Sequence, residues 1–312
     1  MNLREEDQVF IIKEPQGIFL TALKEEKEAY CSLDFLDNSA KVGDIYLARV
    51  LRTDKKRAWL DVGENKPALC IPRSAFVEGE RQVVRILKES ITTTYSQKGA
   101  LVTDKFPEKE HFLKETESRE PPHRLFANDP LWKTYLKNLN AQPQITVNDY
   151  TLYQEITALG FVSITLKSDL GWPTPLKEVW QTMLEPVVPL PGGGWILFEE
   201  GETLTAIDIN TSRYDQKSVE LKGDHDLYEF NKRAGEICIE QIKLRNYGGR
   251  VVIDFPAFKN KGFYFKLWKD LKEKFREKET FIPGFTRTGL FELTRYRAGL
   301  SNPQKLKKIN FI

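Results

Sequence analysis

A chain of 312 residues, 29% of them charged and with a formal net charge of +2, exceeds one typical domain and has apolar residues for more than one core. Three cysteines (Cys31, Cys70, Cys238) and three histidines (His111, His123, His225) are scattered, and no CxxC pair occurs, which excludes a zinc cluster or a disulfide framework. The charged start, MNLREEDQ, lacks the apolar region of a secretory signal, and no apolar run reaches the about 18 residues of a membrane span, so a reduced cytoplasmic setting without a membrane partner is expected.

The first 40 residues read as three short strands, VFIIKE (9–14), GIFLTALK (17–24) and AYCSLDFL (29–36). They are too few to be stable alone and are expected to join a later part of the chain. Residues 41–104 contain GDIYLARVLR, RAWLDVG, PALCIP, RQVVRILKE and KGALVTD, five strand-like runs spaced as in a small all-β barrel such as an OB-fold. Within RAWLDVG, Ala58, Leu60 and Val62 take one face and Trp59 and Asp61 the other. An outward Trp59 is either a platform for base stacking or a cover for the junction with the next domain. Residues 105–122, KFPEKEHFLKETESREPP, are dense in charge and read as a linker. Folded character returns over 123–172, with a helix over 130–139 that Asp129 can cap, a strand over 144–150, and a helix over 151–159 that ends at Gly160.

The chemistry lies between Gly192 and Arg297. A strand over 195–198, the turn EEGE, and a strand over 204–209 predict a hairpin, in which Ala206, Asp208 and Asn210 share a face. A helix over 227–245 closes at Gly248-Gly249, and RVVIDF (250–255) follows as a buried strand with Asp254 near its end. Two strands joined by a helix would thus bring two aspartates to one sheet edge, where α/β proteins gather ligands. Mg²⁺ uses one or two such carboxylates together with water and substrate phosphate. Taken alone, strand-end aspartates also serve as turn formers or ion-pair partners.

LTAIDINTS (204–212), IKLRNYGGRVVIDF (242–255) and TRTGLFELTRYR (286–297) resemble the catalytic segment of the ribonuclease E/G family. GDIYLARVL…RAWLDVGENKPALCIP is similar to that family's embedded S1 module, and EVWQTMLEPVVPLPGGGW to the approach to its catalytic hairpin. The resemblance implies a mixed α/β chain in which an S1-type OB-fold barrel (41–104) interrupts an RNase H-like subdomain (1–40 plus 123–172). A DNase I-like catalytic subdomain (173–312) follows. It further implies that Asp208 and Asp254 hold a metal, Mg²⁺ with Mn²⁺ as a substitute, and that Asn210 helps position them. Trp59 and Lys98 of the barrel, and Arg213, Arg287, Arg295 and Arg297, would contact RNA. Leu69 stands where the family often has a second aromatic, and Ala257 where a further acid often follows the VIDF strand.

The expected activity is metal-dependent endonucleolytic cleavage of single-stranded RNA to 5′-phosphate and 3′-hydroxyl ends, in RNA processing or decay. The family's 5′-end sensor would fall where this chain has only 105–122, so indifference to the 5′ end is expected. A monomer or weak homodimer is expected, without the zinc-linked assembly of many relatives. Two rivals are a non-catalytic S1-type RNA-binding regulator and a phosphodiesterase acting on DNA or a small nucleotide.

Overall fold

A computed structural model describes residues 7–72, 74–93, 96–169, 171–211, 221–275 and 280–311. The chain divides into two compact units, one of residues 1–35, 135–297 and 301–312, the other of 36–134 and 298–300. No helix among the described residues is long and apolar enough to cross a membrane.

The smaller unit is built on a closed five-stranded barrel of Ile45–Thr53, Ala58–Asp61, Ala68–Cys70, Leu101–Thr103 and Arg81–Lys88. Closure comes from the first strand, which turns a corner. Its first half pairs with Arg81–Lys88 and its second half with Ala58–Asp61, with a register shift between Val50 and Arg52. Alternation sends Tyr46, Ala48 and Val50 into the barrel with Ala58, Leu60, Ala68, Cys70, Val84 and Ile86. The opposite faces of Ile45, Leu47 and Val83 would be bare, and Phe106 and Phe112 cover them.

That cover corrects the reading of 105–122 as a linker. The segment includes the helix Lys109–Leu113, and its two phenylalanines are buried. Each burial contributes about 1.5–3 kcal/mol, more than the surrounding charges suggest. Those charges meet barrel arginines, Arg85 with Glu108 at 2.6 Å and Arg49 with Glu120 at 3.2 Å. Residues 123–134 also differ from expectation. His123–Phe126 pairs with the first barrel strand, and Asp44, buried, accepts the Asn128 N–H at 2.8 Å and lies 3.5 Å from Arg124. The stretch is therefore part of the barrel unit.

The larger unit holds two sheets. In the first, Gln8–Glu14, Gly17–Lys24 and Lys27–Phe35 form an antiparallel meander, and Gln144–Val147 and Ile164–Leu166 add in parallel beside the first strand. The helix Tyr150–Ala158 is capped by Asp149, whose carboxylate accepts the Leu152 N–H at 3.0 Å and pairs with Lys13 at 2.9 Å. Phe19, Cys31 and Leu33 pack on Val179, Trp180 and Met183 of the helix Thr174–Thr182 and on Leu306 of the helix Asn302–Lys308. That last helix is tied to the meander by buried hydrogen bonds. The Asn302 amide donates to the Cys31 carbonyl at 3.0 Å, and the Lys305 ammonium to the Leu33 carbonyl at 2.7 Å.

The second sheet has the order Val187–Pro189, Trp195–Glu200, Leu204–Asn210, Gly249–Asp254, Leu290–Arg295, Thr280–Phe285. Only Leu204–Asn210 and Gly249–Asp254 run parallel, because the helix Asp224–Leu244 crosses between them. This helix and Gly262–Lys274 cover one face, burying Ile207, Ile209, Val251, Ile253, Phe291 and Leu293. Gly235 lets the two helices close, since a Cβ there would lie 2.7 Å from Leu271 and 3.2 Å from Phe255. The buried Arg245 ends the long helix, donating to the carbonyls of Thr182, Met183 and Glu185.

Candidate active site and barrel surface

Alternation along the two parallel strands puts Ile207, Ile209 and Ile253 under the helices and turns Asp208 and Asp254 to the uncovered face. The register makes the two aspartates direct partners, and the row across four strands reads Leu197, Asp208, Asp254, Leu290. Adjacent strands lie about 4.8 Å apart, so both carboxylates reach a common point above the sheet. They line a shallow concavity of about 270 Å³ with Leu197, Glu199, Ala206, Ile207, Val252 and Leu290.

Asn210, two residues on and on the same face, donates its amide N–H to Asp208 Oδ2 at 2.7 Å and so fixes that carboxylate. Gly194 makes room beside it, because a Cβ there would lie 2.6 Å from the Asn210 carbonyl oxygen. Among the described residues, no lysine, arginine or histidine pairs with Asp208 or Asp254. Two facing carboxylates without a cation are unfavourable as a structural device, since like charges directly opposite destabilise a strand pair. As a donor set for a hard cation they are suited, supplying oxygen ligands and an open side for water and phosphate. Ala257 is exposed three positions beyond Asp254 and offers no third carboxylate.

A residue that sequence reasoning missed supports the second aspartate. Asn231, fully buried on the long helix, donates to the Pro256 carbonyl at 2.9 Å and holds the chain just past Asp254. Its Oδ1 has no hydrogen-bond partner among the described residues. The signal available was a lone polar residue on the apolar stripe of Leu227, Phe230 and Ala234.

The predicted basic contacts divide. Arg287 is exposed on the turn that leads into Leu290, the neighbour of Asp254. Arg295 lies at the far end of that strand, opposite Gly249, and donates to the Asn246 side chain at 2.8 Å and the Tyr247 carbonyl at 3.1 Å. Arg297 donates to Gln304 at 3.3 Å and lies near Glu200. The sheet thus brings Arg287 to the acid edge and leaves Arg295 and Arg297 bracing the opposite end. Arg213 lies outside the described residues.

On the barrel, Ala58, Leu60 and Val62 are buried and Trp59 is half-buried on the outer surface, as alternation requires. Its cross-strand neighbours are Arg52 on one side and Leu69 on the other. The Arg52 guanidinium lies over the indole, 4.0 Å from the ring centroid, with Arg57 at 5.2 Å. Lys98 is exposed on the hairpin Ile91–Thr92/Gln97–Lys98.

Comparison with known proteins bears on the family. A profile of the Ribonuclease E/G family matches residues 103–298. Ribonuclease G of Salmonella typhimurium (strain SL1344) is 31% identical over 120 residues, 38% of this chain and 24% of the relative. Ribonuclease G of Haemophilus influenzae is 31% identical over 125 residues, 39% of this chain and 25% of the relative. Ribonuclease E of Nostoc sp. (strain PCC 7120) is 32% identical over 118 residues, 37% of this chain and 17% of the relative. The matched part spans about a quarter or less of these relatives' length. A family match over more than half of the chain, centred on the strands that oppose Asp208 and Asp254, leads to one conclusion: the chain belongs to the ribonuclease E/G family.

Proposed function

We propose that this chain is a Mg²⁺-dependent endoribonuclease that cleaves single-stranded RNA to 5′-phosphate and 3′-hydroxyl products, serving RNA processing or decay in the cytoplasm. The carrying observation is the direct pairing of Asp208 with Asp254 on an uncovered sheet face, with no cation among the described residues to neutralise them. The donor set fits Mg²⁺, with Mn²⁺ as a substitute, through these two carboxylates. Bound there, the ion would offset charge developing on the phosphate and activate water for attack.

The chain's own residues supply the rest. Asn210 holds Asp208 in one orientation through the 2.7 Å hydrogen bond. Arg287, beside the acid edge, is the candidate phosphate contact of the closing segment. Trp59 and Lys98 on the barrel would grip the strand by stacking and by phosphate contact, with little reading of sequence. The barrel is read as the S1 module and the acid-bearing sheet as DNase I-like. The N-terminal sheet, with three antiparallel strands followed by two parallel ones, supports the RNase H-like reading. A monomer or weak homodimer, without a zinc link, remains the expected state.

Segment 105–122 is occupied in covering the barrel and pairing with its arginines, and it supports a reading in which cleavage ignores the 5′ end. Initial rates on RNAs differing only in a 5′ monophosphate, triphosphate or hydroxyl should agree within about twofold. A tenfold preference for the monophosphate, about 1.4 kcal/mol, would reject that reading. The activity itself is tested with a labelled single-stranded RNA and a matched DNA, with and without Mg²⁺, beside Asp208→Asn. Metal-dependent cutting of RNA that the variant abolishes is the expected result. RNA bound tightly and left intact would instead identify a non-catalytic RNA-binding regulator.

A further inference from the structure

The stacking surface at Trp59 already carries an arginine. The Arg52 guanidinium lies over the indole, 4.0 Å from its centroid, and Arg52 and Trp59 are direct cross-strand partners. Arg57, at 5.2 Å from the same centroid, is drawn to Asp54, with Nε 2.9 Å and Nη2 2.7 Å from the carboxylate. Arg52 differs. It is exposed, and among the described residues it has no carboxylate partner. Its planar group is therefore supported from below by an aromatic ring and open to a ligand. Beside it, the loop of Asp54, Lys55, Lys56 and Arg57 and the exposed side chain of Ile71 line a concavity of about 650 Å³.

We propose that an unpaired nucleobase of single-stranded RNA stacks on Arg52, with Trp59 as the backing layer, and that its flanking phosphates meet Lys55, Lys56 and Arg57. A guanidinium is planar, weakly hydrated and able to stack, and an indole beneath it holds it by cation–π attraction. Arg52 then combines two tasks, stacking and charge, at a site where Trp59 alone would supply only the first. The inference rests on reading the barrel as an RNA-binding module.

The test separates stacking from charge. The full chain carrying Asp208→Asn, to prevent cutting, is titrated with a fluorescein-labelled oligouridylate over a series of salt concentrations. Arg52→Lys keeps the charge and loses the plane. It should weaken binding roughly tenfold while leaving the salt slope unchanged, and Trp59→Ala should weaken it by a similar factor. Arg52→Ala should lower both the affinity and the slope. Since the Arg52 side chain is exposed, thermal unfolding of all three variants serves as the check on folding. Wild-type affinity for Arg52→Lys would overturn the proposal and leave Arg52 a phosphate contact. Tighter binding by Arg52→Ala, with Trp59→Ala still weak, would overturn it in another way, by showing that the arginine blocks a base from the indole. If none of the three variants changes affinity, RNA does not stack on this face of the barrel and the proposal fails; unchanged affinity in Lys98→Ala as well would take the underlying reading with it.

Discussion

In each sheet of the larger unit a parallel strand leads to an aspartate, and the two sheets treat the charge in opposite ways. In the N-terminal sheet, Asp149 follows the strand Gln144–Val147, caps a helix through the Leu152 N–H and pairs with Lys13 of the adjacent parallel strand. In the acid-bearing sheet, Asp208 and Asp254 face each other across the parallel register, and among the described residues an asparagine amide answers one of them. The first acid is consumed by the fold. The second pair opposes the fold locally, and what it lacks is a cation from outside. Strand ends alone therefore do not mark a site; the partner opposite the acid does.

This contrast breaks if Asp208 or Asp254 turns out to be structural. Asp208→Asn and Asp254→Asn should each lower the cleavage rate by roughly a thousandfold or more, about 4 kcal/mol in the barrier, while RNA binding persists. Thermal unfolding should show no loss of stability and a gain of up to about 1 kcal/mol, because one of two facing charges is gone. The double variant should be little worse than either single one, since both serve one ion. Cleavage near the wild-type rate in either variant, with metal still required, would remove these residues from the mechanism.

Asn231 belongs between the two classes. Asn231→Ala removes the donor of the half-buried Pro256 carbonyl and should cost about 1–3 kcal/mol of stability, read from denaturant midpoints. Because the released chain follows Asp254, cleavage per folded molecule should fall as well. A loss of stability with full activity would assign it to packing alone.

Asp149→Ala should behave as the converse of Asp208→Asn, costing about 1 kcal/mol as a lost helix cap and leaving cleavage per folded molecule unchanged. Burial raises the pKa of Asp149, but the Lys13 ammonium and the Leu152 N–H outweigh it and hold the carboxyl below its usual value. A lowered pKa in the folded state stabilises above the unfolded value, near 4, and that contribution fades as the pH falls through the folded one. The stability gap between wild type and Asp149→Ala should therefore narrow below about pH 4. The smallest effect belongs to Lys13→Met, at most about 1 kcal/mol for so exposed a pair, and adding salt should shrink it.

The acid pair was legible because TAIDIN and RVVIDF alternate cleanly, so the face of each aspartate follows from the phase of its isoleucines. The barrel strands and the outward Trp59 were legible for the same reason. Charge misled over 105–122, where Phe106 and Phe112 decide the packing although they are two residues among many polar ones. Pairing across strands was hidden as well. Nothing in the local pattern places Arg52 over Trp59, or fixes His123–Phe126 on the barrel's first strand, because register is set by distant residues. Arg295 is a candidate RNA contact by resemblance to the family's closing segment, and its bonds to Asn246 and the Tyr247 carbonyl, which tie it to a helix end, were not legible in the sequence.

The hydrogen bonds from Asn302 and Lys305 to the carbonyls of Cys31 and Leu33 carry a consequence for time. They span 271 and 272 positions of the chain. At about 5–20 residues per second, the meander leaves the ribosome roughly 15–55 s before the helix that closes it is made. During that interval Phe19 and Leu33 lack Leu306, and the Cys31 and Leu33 carbonyls lack their donors. Contacts this distant also fold slowly once the chain is free. The acid-bearing sheet, whose central strands lie within one stretch of sequence, has no such wait. A nascent chain should hold the Asp208–Asp254 strand pair before its first three strands are sealed, and the early meander is the part most exposed to chaperones and proteases.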